Sequence, residues 1–290
     1  MKNMDYIKGN YNQFCMHAGG MVDGEMLTNT RQALYYWIDY GMQIFEFDIC
    51  KTDDQEYVTC HDFNTEAFRQ LEVINIPVFK TSNWFISQNL YYNGKGPYNA
   101  MTLDFLFSLL EKEEIKMLMI DPKDFSYDGT IQLLEYISQL NMKHNIIDID
   151  RVVVELYNYD MIEASTHFSD IAKYQYCVDD DIQQGNSIEL RSLSPIELIA
   201  YLQAHNIGIL SYPWKQAVEN LSFLKLLINK GFKIWSRTRN NIFYELLDKV
   251  GIAVNIIDEH ITPPRYSDQL IQYKEEYLTR YQPQIEKYFK

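Results

Sequence analysis

The stretch KMLMIDPKDFSYDGTIQLLEYISQLNMKHNIIDIDRVVVEL, residues 116–156, decides the fold. It opens on a very apolar strand, Lys116 to Ile120, and passes through a helical segment, Thr130 to Leu140, to a second apolar strand, Arg151 to Leu156. Strand, helix and strand at that spacing predict two parallel strands joined by a crossover helix.

The unit repeats in both directions. Upstream, Phe14 to His17 reads as a first strand ending in Gly19-Gly20, Thr30 to Tyr40 as a helix and Met42 to Ile49 as a second strand. Tyr57 to His61 reads as a short return strand across the Asp53-Asp54-Gln55 turn, and Leu103 to Lys112 as a helix. Downstream come a helix around Met161, strand Ile171–Tyr176, helix Pro195–Ala204, strand Gly208–Leu210 and helix Leu221–Asn229. Strand Phe232–Trp235, helix Ile242–Lys249 and strand Ala253–Ile257 complete the series. Eight such units in roughly 250 residues predict an α/β fold, a closed parallel (β/α)8 TIM barrel. No GxGxxG or GxxxxGK[ST] follows any strand, which disfavours an open doubly wound sheet.

Residues 1–290 read as a single domain, without a Pro/Gly/Ser-rich linker or a shift in composition. Two segments stand outside the repeat. Residues 63–100 form an insertion too long for an ordinary connection and rich in aromatics, among them Phe68, Phe79, Trp84, Phe85, Tyr91 and Tyr92. The tail, residues 265–290, places Leu270, Tyr273, Tyr277 and Tyr281 at helical spacing, as expected of a C-terminal helix packed on the barrel.

Apolar residues make up 47% of the chain and charged residues 23%, which excludes a disordered protein. The formal net charge of -14 repels a phosphate backbone at long range, so nucleic acid is not an expected partner. A small phosphate ester remains compatible, because a local cation reverses the potential within one cleft. The runs Asp179-Asp180-Asp181 and Glu111-Lys112-Glu113-Glu114 read as solvated surface. The first twelve residues are polar, with no apolar stretch of a signal peptide, and nothing approaches the roughly 20 apolar residues of a span. Cys15, Cys50, Cys60 and Cys177 show no CxxC spacing and read as reduced, buried thiols of a cytoplasmic protein.

Barrel active sites lie at the C-terminal ends of the strands. The polar residues there are His17, then Glu46 and Asp48, then Asp121 and Lys123, then Trp235 and Arg237. Side chains two apart on a strand share a face, so Glu46 and Asp48 enter one mouth while Phe47 packs outward, and Asp121 and Lys123 share a side. One carboxylate alone would read as a buried salt bridge to an interior Lys or Arg. Three beside two histidines read as a site, because they repel unless a cation sits among them. Oxygen-only donors favour one hard divalent cation, Mg2+ or Ca2+, over zinc. His17 and His61 titrate in the range needed for a base and an acid. His144, His167, His205 and His260 fall in loops or helices and read as surface or structural.

These residues carry a family pattern. His17-Ala18-Gly19-Gly20, Thr28-Asn29-Thr30, Glu46-x-Asp48 five residues after Gly41, Lys51-Thr52-Asp53-Asp54 and His61-Asp62 together resemble the N-terminal signature of the glycerophosphodiester phosphodiesterases. That superfamily includes barrel phospholipases C and sphingomyelinase D type phospholipases. Phe232–Thr238 resembles the strand bearing an active-site Trp, and Ile256-Ile257-Asp258 the final strand with its acidic end. The resemblance implies that Glu46, Asp48 and Asp121 bind one divalent ion and that His17 and His61 are the catalytic acid/base pair. It further implies that Lys123 contacts the phosphate and that Asn29 braces the loop presenting His17. Three departures stand out: Ala18 replaces the usual Arg, Asp121 the usual Glu, and Leu27-Thr28 the usual Pro-Glu. The Asp-x-Lys form is similar to the sphingomyelinase D branch and to bacterial relatives with His-Ala-Gly-Gly.

The expected function is a metal-dependent phosphodiesterase acting on a small phosphodiester, a glycerophosphodiester or a related lipid or sugar headgroup. Trp235 and Arg237 are candidates to bind the substrate, although an aromatic at a strand end is often only packing and Arg237 reads equally as a group reaching solvent. A degenerate barrel that binds a phosphorylated ligand without turnover is a competing reading, favoured by Ala18 and opposed by the two histidines. A membrane-surface phospholipase is another: the aromatic insertion would supply a docking element, while the acidic charge disfavours anionic membranes. The sequence does not fix the oligomeric state, and a scaffolding role through the Tyr-rich tail ranks last.

Overall fold

The computed structural model describes residues 13–178, 193–212, 220–238 and 251–257, with positions 283, 285 and 287; of Arg237 and Thr238 it describes the backbone alone. Helix Ile242–Lys249, the run Asp179-Asp180-Asp181, Asp258, His260 and the stripe Leu270, Tyr273, Tyr277 and Tyr281 lie outside the described residues.

The strands are β1 (Phe14–Met16), β2 (Ile44–Lys51), β3 (Tyr57–Thr59), β4 (Leu90–Tyr92), β5 (Lys95–Tyr98), β6 (Met117–Pro122) and β7 (Val152–Leu156). They continue with β8 (Lys173–Cys177), β9 (Ile209–Ser211), β10 (Lys233–Thr238) and β11 (Val254–Ile257). Hydrogen bonding runs β1-β11-β10-β9-β8-β7-β6-β2, and β1 also pairs with β2. Every one of these pairs is parallel, so the eight strands close on themselves as the expected barrel. The helices are α1 (Arg31–Asp39), α2 (Thr65–Gln70), α3 (Ser82–Ile86), α4 (Leu103–Glu111), α5 (Tyr127–Lys143), α6 (Tyr159–Ser165), α7 (Pro195–Ala204) and α8 (Leu221–Asn229). Among the described residues no helix is long and apolar enough to cross a membrane.

Local sequence explains where the helices begin. Thr30, Thr102, Ser126, Asn158 and Ser194 each stand one residue before a helix, and each side chain accepts a hydrogen bond from a backbone N–H of the first turn. Ser194 and Glu197 close a full capping box around Pro195.

Strand alternation sorts the side chains into two layers. Cys15, Ile44, Met119, Val153, Ile209, Trp235, Val254 and Ile256 come from seven different strands yet form one apolar cluster, which only the barrel interior allows. The odd-and-even partners Phe14, Met16, Phe45, Phe47, Leu118, Ile120, Val152, Val154, Leu210 and Ile234 join the outer layer between strands and helices. Ile285 is buried in that outer layer as well.

Residues 63–100 have a separate core. Phe68, Val73, Phe85, Leu90 and Tyr98 pack with Val22, Ala33, Val58 and Cys60, with Phe63, Trp84 and Tyr92 at the edge. Within it β4 and β5 form an antiparallel hairpin turned by Asn93 and Gly94, both with positive φ. The β2–β3 turn anchors the insertion: Asp53 accepts from the Lys80 amide at 2.6 Å, and Asp54 accepts from the Ser82 amide and hydroxyl at 2.9 and 3.0 Å.

Candidate active site

The interior cluster is the floor beneath the site. Two residues on from each of Ile44, Met119 and Val153, on the same face, stand Glu46, Asp121 and Glu155; Asp48 follows Glu46, and His17 comes just past the end of β1. Register aligns them, since Asp48 pairs with Asp121 across β2 and β6. One oxygen from each of Glu46, Asp48 and Asp121 lies within 4.8 Å of the others, and all three residues are buried. Lys123 closes the group, its Nζ 2.6 Å from Asp48 Oδ1 and 2.9 Å from Asp121 Oδ2. Burial works against the ammonium, but the two carboxylates outweigh it and raise its pKa. For Asp48 burial likewise opposes the charge. Lys123, His17 and the hydrogen bonds from Lys123 and Asn29 outweigh it and hold the carboxyl at about 2.

His17 does not end β1 but begins a short 3-10 turn, His17–Gly19. Ala18, Gly19 and Gly20 all have positive φ, and this folds the loop down onto the barrel. A Cβ on Gly20 would clash with Trp37 Nε1, and one on Gly19 would meet Phe47 Cε1 at 2.6 Å, so the Gly-Gly pair permits a close approach. The Ala18 amide donates to Glu46 Oε2 at 2.6 Å, and His17 Nε2 lies 3.7 Å from the same oxygen. Its side chain is 16% exposed.

Asn29 braces this arrangement twice. Its side-chain amide donates to Asp48 Oδ2 at 2.6 Å while its carbonyl oxygen accepts from the Asp48 amide at 3.0 Å. Its own backbone N–H donates to the Ala18 carbonyl at 3.0 Å. One residue therefore ties the His17 loop to the acidic group.

His61 arrives from β3. Because β6 occupies one edge of β2 from Ile44 to Ile49, β1 and β3 must share the other edge. β1 covers Ile44 and Phe45, β3 covers Ile49 to Lys51, and the Cys60 amide then donates to the Asp48 carbonyl at 3.0 Å. The return strand thus runs back along β2 as far as Asp48, and His61 stands one residue beyond that contact, its carbonyl 3.6 Å from Cys50 Sγ. Its side chain is 63% exposed, with Nδ1 2.8 Å from Asp62. His61, Lys123, Cys50 and Asp124 line one cleft of about 270 Å³.

Two further candidates come from β10. Trp235 is 2% exposed within the floor cluster, which is the packing arrangement. The Arg237 side chain lies outside the described residues. Among the other histidines, His144 bridges Asp104 and Glu111 at 2.7 and 3.0 Å, which also gives Glu111 a structural contact. His205 pairs with Glu163. Cys15, Cys50, Cys60 and Cys177 are all buried, as expected.

Glu155 was not among the sequence candidates, although it is fully buried one strand beyond Asp121. Tyr157 Oη donates to it at 2.7 Å and Gln175 Nε2 at 3.0 Å. The alternation rule applied to RVVVEL, counting two residues on from interior Val153, would have placed it.

Solved structures share this architecture over nearly their full length. A glycerophosphodiester phosphodiesterase from Parabacteroides distasonis matches with a TM-score of 0.61 at 15% identity, covering 91% of this chain and 98% of that one. The enzyme of the same description from Thermotoga maritima matches with 0.61 at 19% identity, covering 85% and 94%. The fold is that of the glycerophosphodiester phosphodiesterases. A phosphodiesterase from Oleispira antarctica, solved with its product sn-glycerol-3-phosphate, matches with 0.65 at 14% identity, covering 93% and 99%. No protein-family profile and no curated protein sequence matches the chain.

Proposed function

We propose that the chain is a metal-dependent phosphodiesterase of the glycerophosphodiester phosphodiesterase kind, acting on a small phosphodiester. The observation that carries this is the convergence of Glu46, Asp48 and Asp121 in one buried mouth with His17 against Glu46. The fold shared with phosphodiesterases and the motif pattern of the sequence support it.

The donor set fits a hard divalent ion: among the described residues the cluster is three carboxylates, with no thiolate or imidazole, which suits Mg2+ or Ca2+. Such an ion, held by Glu46, Asp48 and Asp121, supplies charge neutralisation and a template for the phosphoryl oxygens. Lys123 is a fixed cation at the same place and would contact the phosphate. Of the two histidines, one accepts the proton of the attacking hydroxyl as its oxygen bonds to phosphorus. The other donates a proton to the departing alcohol as the P–O bond breaks. Water as the nucleophile gives a monoester; a neighbouring hydroxyl of the substrate, favoured by proximity, gives a cyclic phosphate.

The reading without turnover has one observation in its favour. Ala18 is fully buried, and its methyl supplies no cation to the phosphate. Hydrolysis of bis-p-nitrophenyl phosphate and of a glycerophosphodiester, with chelator and then with added Mg2+ or Ca2+, separates the two. Release of the alcohol that stops in chelator and returns with the ion is the expected result. Ion and phosphate binding with no release would establish the binding barrel instead.

A further inference from the structure

We propose that the β4–β5 hairpin of the insertion is a positioning element for the acidic centre, and that Tyr92 acts on Asp48 through Thr28 and Asn29. The proposal rests on reading Glu46, Asp48 and Asp121 as ligands of one divalent ion.

The loop between β1 and α1 has little regular structure. Leu27 and Asn29 are both left-handed, with φ of 58° and 55°. Backbone of that shape forms no ladder of its own, so its polar groups need partners from elsewhere. The hairpin supplies several of them. Lys95 Nζ donates to the Asp23 carbonyl at 2.9 Å and pairs with Glu25 at 2.8 Å; Asn93 Nδ2 donates to Glu25 at 2.6 Å; Tyr98 Oη donates to Asp23 Oδ2 at 2.9 Å. Tyr92 Oη donates to the Thr28 carbonyl at 2.6 Å.

Tyr92 differs from the others in where it holds the loop. The contacts to Asp23 and Glu25 lie four or more residues from Asn29, whereas Thr28 is its neighbour. The Thr28 carbonyl belongs to the peptide unit whose N–H is that of Asn29, and that N–H donates to Ala18 at 3.0 Å. Fixing this peptide plane fixes the origin of the Asn29 side chain, and with it both hydrogen bonds to Asp48. Thr59 holds the other side, its hydroxyl donating to the Asn29 carbonyl at 2.7 Å. Burial raises the Tyr92 pKa, with Cys60 and Asp48 adding to the effect, so the hydroxyl stays a neutral donor. The insertion, on this account, keeps Asp48 aimed at Glu46 and Asp121.

The test is a calorimetric titration of Mn2+ into the metal-free full chain, in the wild type and in Tyr92→Phe and Tyr98→Phe. Each substitution removes one hydrogen bond between hairpin and loop. Tyr92→Phe should weaken Mn2+ binding by about 2- to 10-fold, the loss of one ordinary hydrogen bond, while Tyr98→Phe leaves it unchanged. In hydrolysis assays Tyr92→Phe should need that much more ion for half its maximal rate, with kcat at saturating ion preserved. Wild-type affinity in Tyr92→Phe, or an equal loss in both variants, would overturn the proposal. Failure of the wild type to take up any ion would instead overturn the metal reading, and this proposal with it.

Discussion

Lys123→Met is the substitution whose consequence follows most directly from the site. The Lys123 ammonium lies 2.6 and 2.9 Å from two carboxylates that are almost wholly removed from water. Methionine matches its length and removes the charge, leaving Asp48 and Asp121 buried with one cation fewer. Removing one partner of a buried ion pair costs about 3–5 kcal/mol. For a chain of this length the unfolding entropy is roughly 0.6 kcal/mol/K, so the melting temperature should fall by about 5–8 °C in chelator. A divalent ion bound at Glu46, Asp48 and Asp121 neutralises the same carboxylates. At about 100 times its Kd it returns roughly 2.7 kcal/mol to the variant. In the wild type the ion competes with the ammonium for the two carboxylates and stabilises less. Calorimetric melts of both proteins, with EDTA and with Mg2+, Ca2+ or Mn2+, should show the gap narrowing as ion is added. A gap that no ion changes, or a variant as stable as the wild type in EDTA, would refute the reasoning.

His17→Ala and His61→Ala should each lower diester hydrolysis by about 10^2–10^4-fold with little change in melting temperature, and near-wild-type turnover by either would remove that residue from the acid/base pair. Gly20→Ala should destabilise the fold by about 2–5 kcal/mol, because it combines a left-handed alanine with a clash against Trp37; urea unfolding reads this directly. Asp54→Ala releases the Ser82 amide and hydroxyl from the β2–β3 turn, so limited proteolysis should cut within residues 63–100 faster than in the wild type.

The barrel was legible because its strands are short apolar runs, and alternation at the strand ends brings Glu46, Asp48 and Asp121 together. The same rule stopped short in two places. Glu155 stands in the stretch that decides the fold, yet a single glutamate inside the apolar run of β7 gives no second polar residue to draw attention to it. His17 reads as a strand end, but Ala18, Gly19 and Gly20 turn the chain at once, and only contact with Trp37 and Phe47 shows why. The insertion was legible as an insertion and not as a support. Asn93-Gly94 is a hairpin signal, but the partner of Tyr92 is 64 positions away, and no local pattern encodes such a contact. Trp235 was ambiguous for a similar reason: depth in the barrel depends on strand stagger, which pairing reveals and sequence does not.

The central claim is that Glu46, Asp48 and Asp121 hold one divalent cation. Anomalous diffraction from a crystal grown with Mn2+ tests it most directly. The account predicts a single peak among the three carboxylates, with oxygens at about 2.0–2.3 Å and Lys123 turned toward the open side of the mouth. No peak there, with the Lys123 ammonium still seated between Asp48 and Asp121, would contradict it.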